Sequence, residues 1–521
     1  MRRPSPWAVL SVSATVLAIA GVVSEFRNPV GGDPASLLHG AERILDGTRL
    51  YTDLIDLNPP FTFLFHTLPV AASRVTRLDV ISCFRVFVCA LVLISGLTLL
   101  GTLRRAPVSA GTWHALTAGF LLGSLGLVVG FFGEREHLQL VLVFPYLALA
   151  SLRTAGLKPS RTLVIVCGVL AGIGLALKVT AGMVPVLVLA TLWLTARVRS
   201  DESLVALATL AAATGLGLLW APGYMHTVEQ FGGFYRGFAL VPATRLLLSP
   251  AMIWPLLVAP LLLLVALPVM RFRLGVLVWF AAVAGFALSV TVQGKGFPYH
   301  YYPARIATLT LILLVLASAN DPRLSTLDPR PSTLRRDALR RALAGATLLC
   351  IVAIPAVIAW ARLTAPRRVV DDFSENAFQL LRDAPPGTTV AIQSSRLGDA
   401  FPLVLIRNLE MTGRFPHLWF LYPYDSSAVY KGRGVRPYTD SALAPVERQL
   451  RHEVAQDLAR DQPALLLVRD PGAARVVLRY LCDDSLYRRT ARSYRLAGRD
   501  TVMQLFRRDT SMQGDGACAS S

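Results

Sequence analysis

Four groups of residues in this 521-residue chain have the types and spacing that chemistry needs. The first lies in GGDPASLLHGAERILDGTRLYTDLIDLNPPF (31–61), where Asp33 follows two glycines and opens a helix-like stretch. A carboxylate there can take a proton from a hydroxyl, or it can simply cap a helix whose first residue is Pro34. Asp53 and Asp56 stand before Asn58-Pro59-Pro60, where acids also serve as turn residues. The second group is Glu134-Arg135-Glu136-His137 after Gly133. Two carboxylates, a guanidinium and an imidazole exceed what a tight hairpin requires. Loop solvation is the plain alternative, but Glu136 and His137 run on into an apolar segment, where ionisable groups are costly. The third is Lys178 in GIGLALKVTAGMVP, a cation that either snorkels to an interface or serves a site. The fourth is GKGFPYHYYP (294–303), with Lys295 between glycines, then His300 and the tyrosines Tyr299, Tyr301 and Tyr302. Interfacial tyrosines form aromatic belts, which accounts for part of it. A lysine between glycines also suits a phosphate, which needs close backbone approach and a point charge.

These groups must be positioned by membrane helices. Hydrophobic residues make up 54% of the chain and charged residues only 16%, well below the roughly 25% of soluble domains. The apolar residues form runs of spanning length without the period-two alternation of a barrel, which predicts an all-α polytopic membrane protein. Spans are expected near 7–23, 81–103, 113–131, 136–152, 162–177, 180–196, 203–220, 252–270, 274–292, 303–318 and 342–361, about eleven in all. The first has the form of a signal peptide without a small-x-small cleavage site, and so reads as a retained helix. Phe61–Ala72 reads as a re-entrant or surface helix.

A net charge of +19 would point to nucleic acid in a soluble protein. Here the arginines recur after every second span: Arg2 and Arg3, Arg104 and Arg105, 153–161, Arg197 and Arg199, Arg271 and Arg273, and 335–341. The positive-inside bias makes these the cytoplasmic loops, so no nucleic-acid partner is expected. Segments 24–80 and 221–251 and the tail from 362 are then extracytoplasmic, on the same side as all four groups. The Pro- and Arg-rich 320–341 reads as a cytoplasmic linker. The expected domains are a transmembrane part, 1–361, and a small α/β tail, 362–521, with strands at Thr389–Gln393, Ala464–Val468 and Thr501–Phe506 and a helix at Pro445–Arg460. Of six cysteines, Cys83, Cys89, Cys167 and Cys350 lie in apolar runs as small hydrophobes. Cys482 and Cys518 pair if the tail is outside the cytoplasm, or stay free.

The order of these motifs resembles that of the GT-C class of integral-membrane glycosyltransferases, in particular the bacterial, family 39-like branch related to protein mannosyltransferases and aminoarabinose transferases. Those enzymes carry an acid shortly after the first span, then a helix and a Gly/Tyr turn with an acid before Pro, and Asp33 falls on their catalytic acid. Their pattern often has Asp-Glu there, whereas this chain has Asp33-Pro34, so Glu134 or Glu136 is the candidate second carboxylate. The late motif corresponds to GKGFPYHYYPARIATL. The resemblance covers roughly 1–318 and implies inverting transfer of a sugar from a polyprenyl-phosphate carrier to a lipid, glycan or protein acceptor at the outer face of the plasma (inner) membrane. Asp33 would be the base, with Glu134 and Glu136 as further acids. Arg135, His137, Lys178, Lys295, His300, Tyr302, Asp53 and Asp56 would contact the substrate or its phosphate. Carboxylates can hold a divalent ion, but no ligand spacing requires a metal or other cofactor. From other classes, a transporter or flippase would need midplane ionisable groups or paired halves, which the sequence lacks. A membrane scaffold whose tail binds a partner would need no catalytic groups.

Overall fold

The computed structural model describes residues 5–128, 130–239, 241–266, 273–319, 352–364, 370, 374–424, 444–470, 476–509, 511 and 516–519. The linker 320–341 and Cys350 lie outside them. Fourteen helices lead the chain: α1 (Pro6–Arg27), α2 (Gly32–Leu45), α3 (Pro60–Thr76), α4 (Val80–Leu103), α5 (Ala110–Leu121), α6 (Arg135–Arg153), α7 (Arg161–Ala176), α8 (Met183–Thr191), α9 (Asp201–Trp220), α10 (Gly223–Ala239), α11 (Ala243–Leu247), α12 (Pro250–Ala266), α13 (Arg273–Gln293) and α14 (Tyr302–Ala319). Helix Val352–Thr364 and a tail with five strands follow. Each expected span overlaps a helix. Among the described residues six stretches are long and apolar enough to cross a membrane, including α1, α4 and α9, and shorter apolar helices accompany them. The chain is a polytopic helical membrane protein with a small C-terminal α/β domain. On α1, Val9, Val12, Val16, Ile19 and Val23 are exposed at helical spacing while Leu10, Ala14, Leu17 and Ala18 are buried. Lipid is the solvent that suits such a stripe.

The chain divides into two compact units. One comprises residues 1–27, 84–216 and 241–367, the membrane helices. Its close packing uses small residues: a Cβ on Gly168 or Gly172 of α7 would lie 2.6 Å from the Val205 Cβ or 2.4 Å from the Thr209 Cβ of α9. Backbones approach this closely in membranes because dispersion, rather than the hydrophobic effect, holds helices together there. Near the Gly168 end of the pair, Arg153 of α6 binds the fully buried Glu202 at 2.8 Å, and the Ser200 hydroxyl donates to the same carboxylate at 2.9 Å. The span expected at 113–131 stops earlier. Helix α5 widens into a π-turn, Leu122–Gly126, and Gly130 and Gly133 then adopt positive φ, which ends regular helix.

The second unit comprises 28–83, 217–240 and 368–521, so the first long loop and α10 group with the tail. Helices α2 and α3 pair where Gly40 admits the Phe63 ring; a Cβ there would sit 2.6 Å from it. The tail sheet runs β2-β1-β3-β5-β4, with β1 (Thr389–Gln393), β2 (Glu410–Met411), β3 (Leu465–Arg469), β4 (Tyr494–Arg499) and β5 (Met503–Arg508). Strand β1 lies parallel to β2 and β3, and β5 is antiparallel to β3 and β4. Helix Ala444–Asp461 buries Leu450, Val454 and Leu458 in a core with Leu466, Val468 and Phe506. The loop is tied to the tail by polar bonds: Arg43 donates to the Gly413 carbonyl at 2.8 Å and Ile55 N–H to the Arg414 carbonyl at 2.7 Å; within the tail Arg414 pairs with Asp457 at 2.9 Å. Cys482 and Cys518 form a disulfide.

Candidate active site

Each unit carries a cluster. In the membrane unit, Glu134 takes the N-cap position of α6 and is buried, and Glu136 follows in the first turn, 2% exposed. Its Oε1 receives the Lys178 ammonium and lies 3.5 Å from His300 Nε2. Lys178 sits where α7 gives way to the short 3-10 turn Val179–Gly182, and its ammonium is 5.9 Å from the Tyr299 ring centre. His300 lies in another 3-10 turn, Pro298–Tyr301, and its Nδ1–H donates to the Lys295 carbonyl at 2.9 Å. Lys178 therefore does not snorkel: its side chain is only 12% exposed and its ammonium meets a buried carboxylate. Desolvating two such charges is expensive, and the pair alone adds little net stability, so an arrangement of this kind is a functional candidate.

Two of the predicted site residues brace this cluster. Both ring nitrogens of His137 are engaged by the backbone: Nδ1 accepts from Gly133 N–H at 3.1 Å and Nε2–H donates to the Ser124 carbonyl at 2.7 Å. The Tyr302 hydroxyl donates to the Gly123 carbonyl at 2.5 Å. Both carbonyls belong to the π-turn after α5, so the two side chains satisfy backbone groups at a break in the helix. A further polar set lies beside Lys178 and Thr180. Gln139 donates to the Lys178 carbonyl at 3.4 Å, while Gln293 donates to Thr180 and Ser289, whose hydroxyls share a bond at 2.9 Å. Single amides and hydroxyls in apolar runs carry no periodic signal; an i, i+3 relation between Glu136 and Gln139 was the available hint.

In the second unit, Asp33 is the second residue of α2, and Gly31 holds the cap position in extended geometry with no side-chain cap bond. The expectation of an Asp33 N-cap is therefore corrected: two glycines let the helix begin two residues earlier, leaving Asp33 inside the first turn, where the helix dipole favours its charge. Asp56 accepts from Asn58 N–H at 2.7 Å, a turn role, and Tyr51 donates to the Asn58 carbonyl at 2.5 Å. Asp53 lies at the surface in an ion pair with Arg49 at 2.8 Å. Farther along α2, burial pushes the His39 imidazole down to about 3, so this ring is neutral at physiological pH. Among the described residues no group of three or more His, Cys, Asp or Glu side chains is arranged to hold a metal.

No family model matches the chain, and no curated protein matches it closely enough to be a relative. Solved structures do. The crystal structure of ArnT from Cupriavidus metallidurans bound to undecaprenyl phosphate superposes with a TM-score of 0.55 at 16% identity, covering 98% of this chain and 100% of that one. The apo state of the same protein gives 0.53 at 16% identity over 98% and 99%. At this identity the likeness is one of fold, and it runs through the tail as well as the membrane helices. The chain shares the fold of ArnT over nearly its whole length.

Proposed function

We propose that this protein transfers a sugar from a polyprenyl-phosphate carrier to a hydroxyl acceptor at the outer face of the plasma membrane, with inversion and with Asp33 as general base. The observation that carries the reading is the buried Glu136–Lys178–His300 cluster on a GT-C-like fold. In the reaction the acceptor oxygen bonds to the anomeric carbon while the bond from that carbon to the phosphate oxygen breaks. The hydroxyl proton passes to the Asp33 carboxylate, and the electron pair leaves with the lipid phosphate. That leaving group gains charge, so it needs cations and donors rather than an acid, and Lys178, Arg135, Lys295 and His300 are assigned to it. Glu136 holds Lys178 and His300 in place, and Glu134 at the cap of α6 is assigned as a further acid. That an ArnT structure contains undecaprenyl phosphate supports a donor of the same class.

Purified protein in proteoliposomes should move sugar from a polyprenyl-phosphate donor to an acceptor extract. Vesicles that accumulate a substrate without making a glycosidic bond would point to a transporter instead, and neither activity would leave a scaffold.

An extracytoplasmic tail accords with the Cys482–Cys518 bond, since such bonds persist in oxidising compartments. In native membranes both thiols should resist alkylation until reductant is added. Cys482→Ser should destabilise the tail by up to about 4 kcal/mol, the chain-entropy value for a loop of 36 residues. Free, alkylatable thiols in untreated membranes would place the tail in the cytoplasm.

A further inference from the structure

The tail sheet holds a buried charge pair that its own stability does not call for. Arg469, the last residue of β3, donates to both carboxylate oxygens of Asp399 at 3.2 Å, and the two side chains are 7% and 1% exposed. Ser394, just past the end of β1, donates its hydroxyl to the same carboxylate and accepts from Arg396 N–H at 2.9 Å. Burial raises the Asp399 carboxyl above its ordinary range, with Arg469 opposing. An apolar pair of similar volume would commonly be as stable. The location gives the pair its use. It clamps the turn Leu397–Asp399 at the carboxyl ends of adjacent parallel strands, and the Ser374 hydroxyl pins the Gly398 carbonyl from the other side. The start of α2 is seated on this turn: a Cβ on Gly32 would stand 3.6 Å from Gly398 N and 3.6 Å from the Phe401 carbonyl oxygen. Farther down the helix, the His39 ring packs on Phe401 with centroids 5.4 Å apart. Asp33 is the next residue after the first of these contacts.

We infer that Asp399 and Arg469 are positioning residues for transfer: their ion pair fixes the 397–401 turn, which sets the height of the first turn of α2 and so the place of Asp33. The inference rests on the assignment of Asp33 as base. A base displaced by about 1 Å can cost on the order of a hundredfold in rate, so a remote clamp has leverage.

The test uses the full-length protein in membranes. Asp399→Asn keeps the size and removes the charge; kcat should fall about ten- to a hundredfold while the KM for the lipid-linked donor changes less than about threefold. Gly32→Val pushes on the same turn without touching the ion pair and should reproduce the loss of kcat with the tail's unfolding temperature unchanged. This second variant keeps the inference testable if Asp399→Asn fails to fold. In an Asp33→Asn background, adding Gly32→Val or Asp399→Asn should cost little more, since no base remains to be placed. Wild-type kcat in folded Gly32→Val protein, or a full multiplicative loss in the Asp33→Asn background, overturns the inference. Asp33→Asn with near-normal transfer removes the base assignment itself, and this inference with it. That outcome is read from the single variant alone.

Discussion

Asp33→Asn should yield a folded, membrane-inserted protein whose transfer rate is reduced on the order of a hundredfold or more. The structure sharpens this expectation. Because Gly31 and not Asp33 holds the cap position, the substitution leaves the N-cap residue of α2 in place. Asn is also nearly isosteric with Asp. What changes is charge: the amide cannot accept the acceptor's proton, and the first turn of α2 loses a favourable dipole contact worth about 0.3–1 kcal/mol. So small a stability effect cannot mimic a hundredfold loss of rate. The measurement is transfer from a polyprenyl-phosphate sugar in membranes, normalised to folded protein by fluorescence-detected size exclusion. Near-normal transfer by the variant would return Asp33 to the role of an ordinary helix-start residue.

Single substitutions in the membrane cluster should act on stability as well as rate. Glu136→Gln leaves the Lys178 ammonium buried against a neutral amide, and Lys178→Met leaves the Glu136 carboxylate without its ammonium. Breaking a buried pair from one side typically costs about 3–5 kcal/mol, because the remaining charge is uncompensated in low dielectric. Each single variant should therefore unfold at lower temperature in detergent. The double variant, Glu136→Gln with Lys178→Met, should recover most of that stability, since no charge is stranded. Transfer should stay lost in the double variant if Lys178 faces the departing phosphate. A double variant that regains both stability and transfer would make the pair purely structural.

Membrane class and helix placement were legible from the chain because hydropathy is a local property: each residue carries its own preference for lipid over water, and twenty in a row decide a span. Strands β1, β3 and β5 and the helix Ala444–Asp461 were likewise marked by short-range pattern. The two-residue β2 was not, because Glu410–Met411 has no periodicity to show and exists only by pairing with Thr389 and Val390. Residues of chemical type were also visible one by one, Asp33, Glu136, Lys178 and His300 among them. Their relations were not. That Lys178 meets Glu136 across 42 positions depends on α6 and the end of α7 lying side by side, and helix packing is set by which small residues let backbones approach. The same holds for His137 and Tyr302, whose motif membership suggested substrate contact. Their partners are carbonyls of a π-turn that forms only within the packed bundle. The tail lies outside the stretch covered by the family resemblance, yet its Gly398 turn lies against Gly32. Contacts of that kind join segments far apart in sequence, and their energy appears only when the fold has already paid the entropy of bringing the segments together.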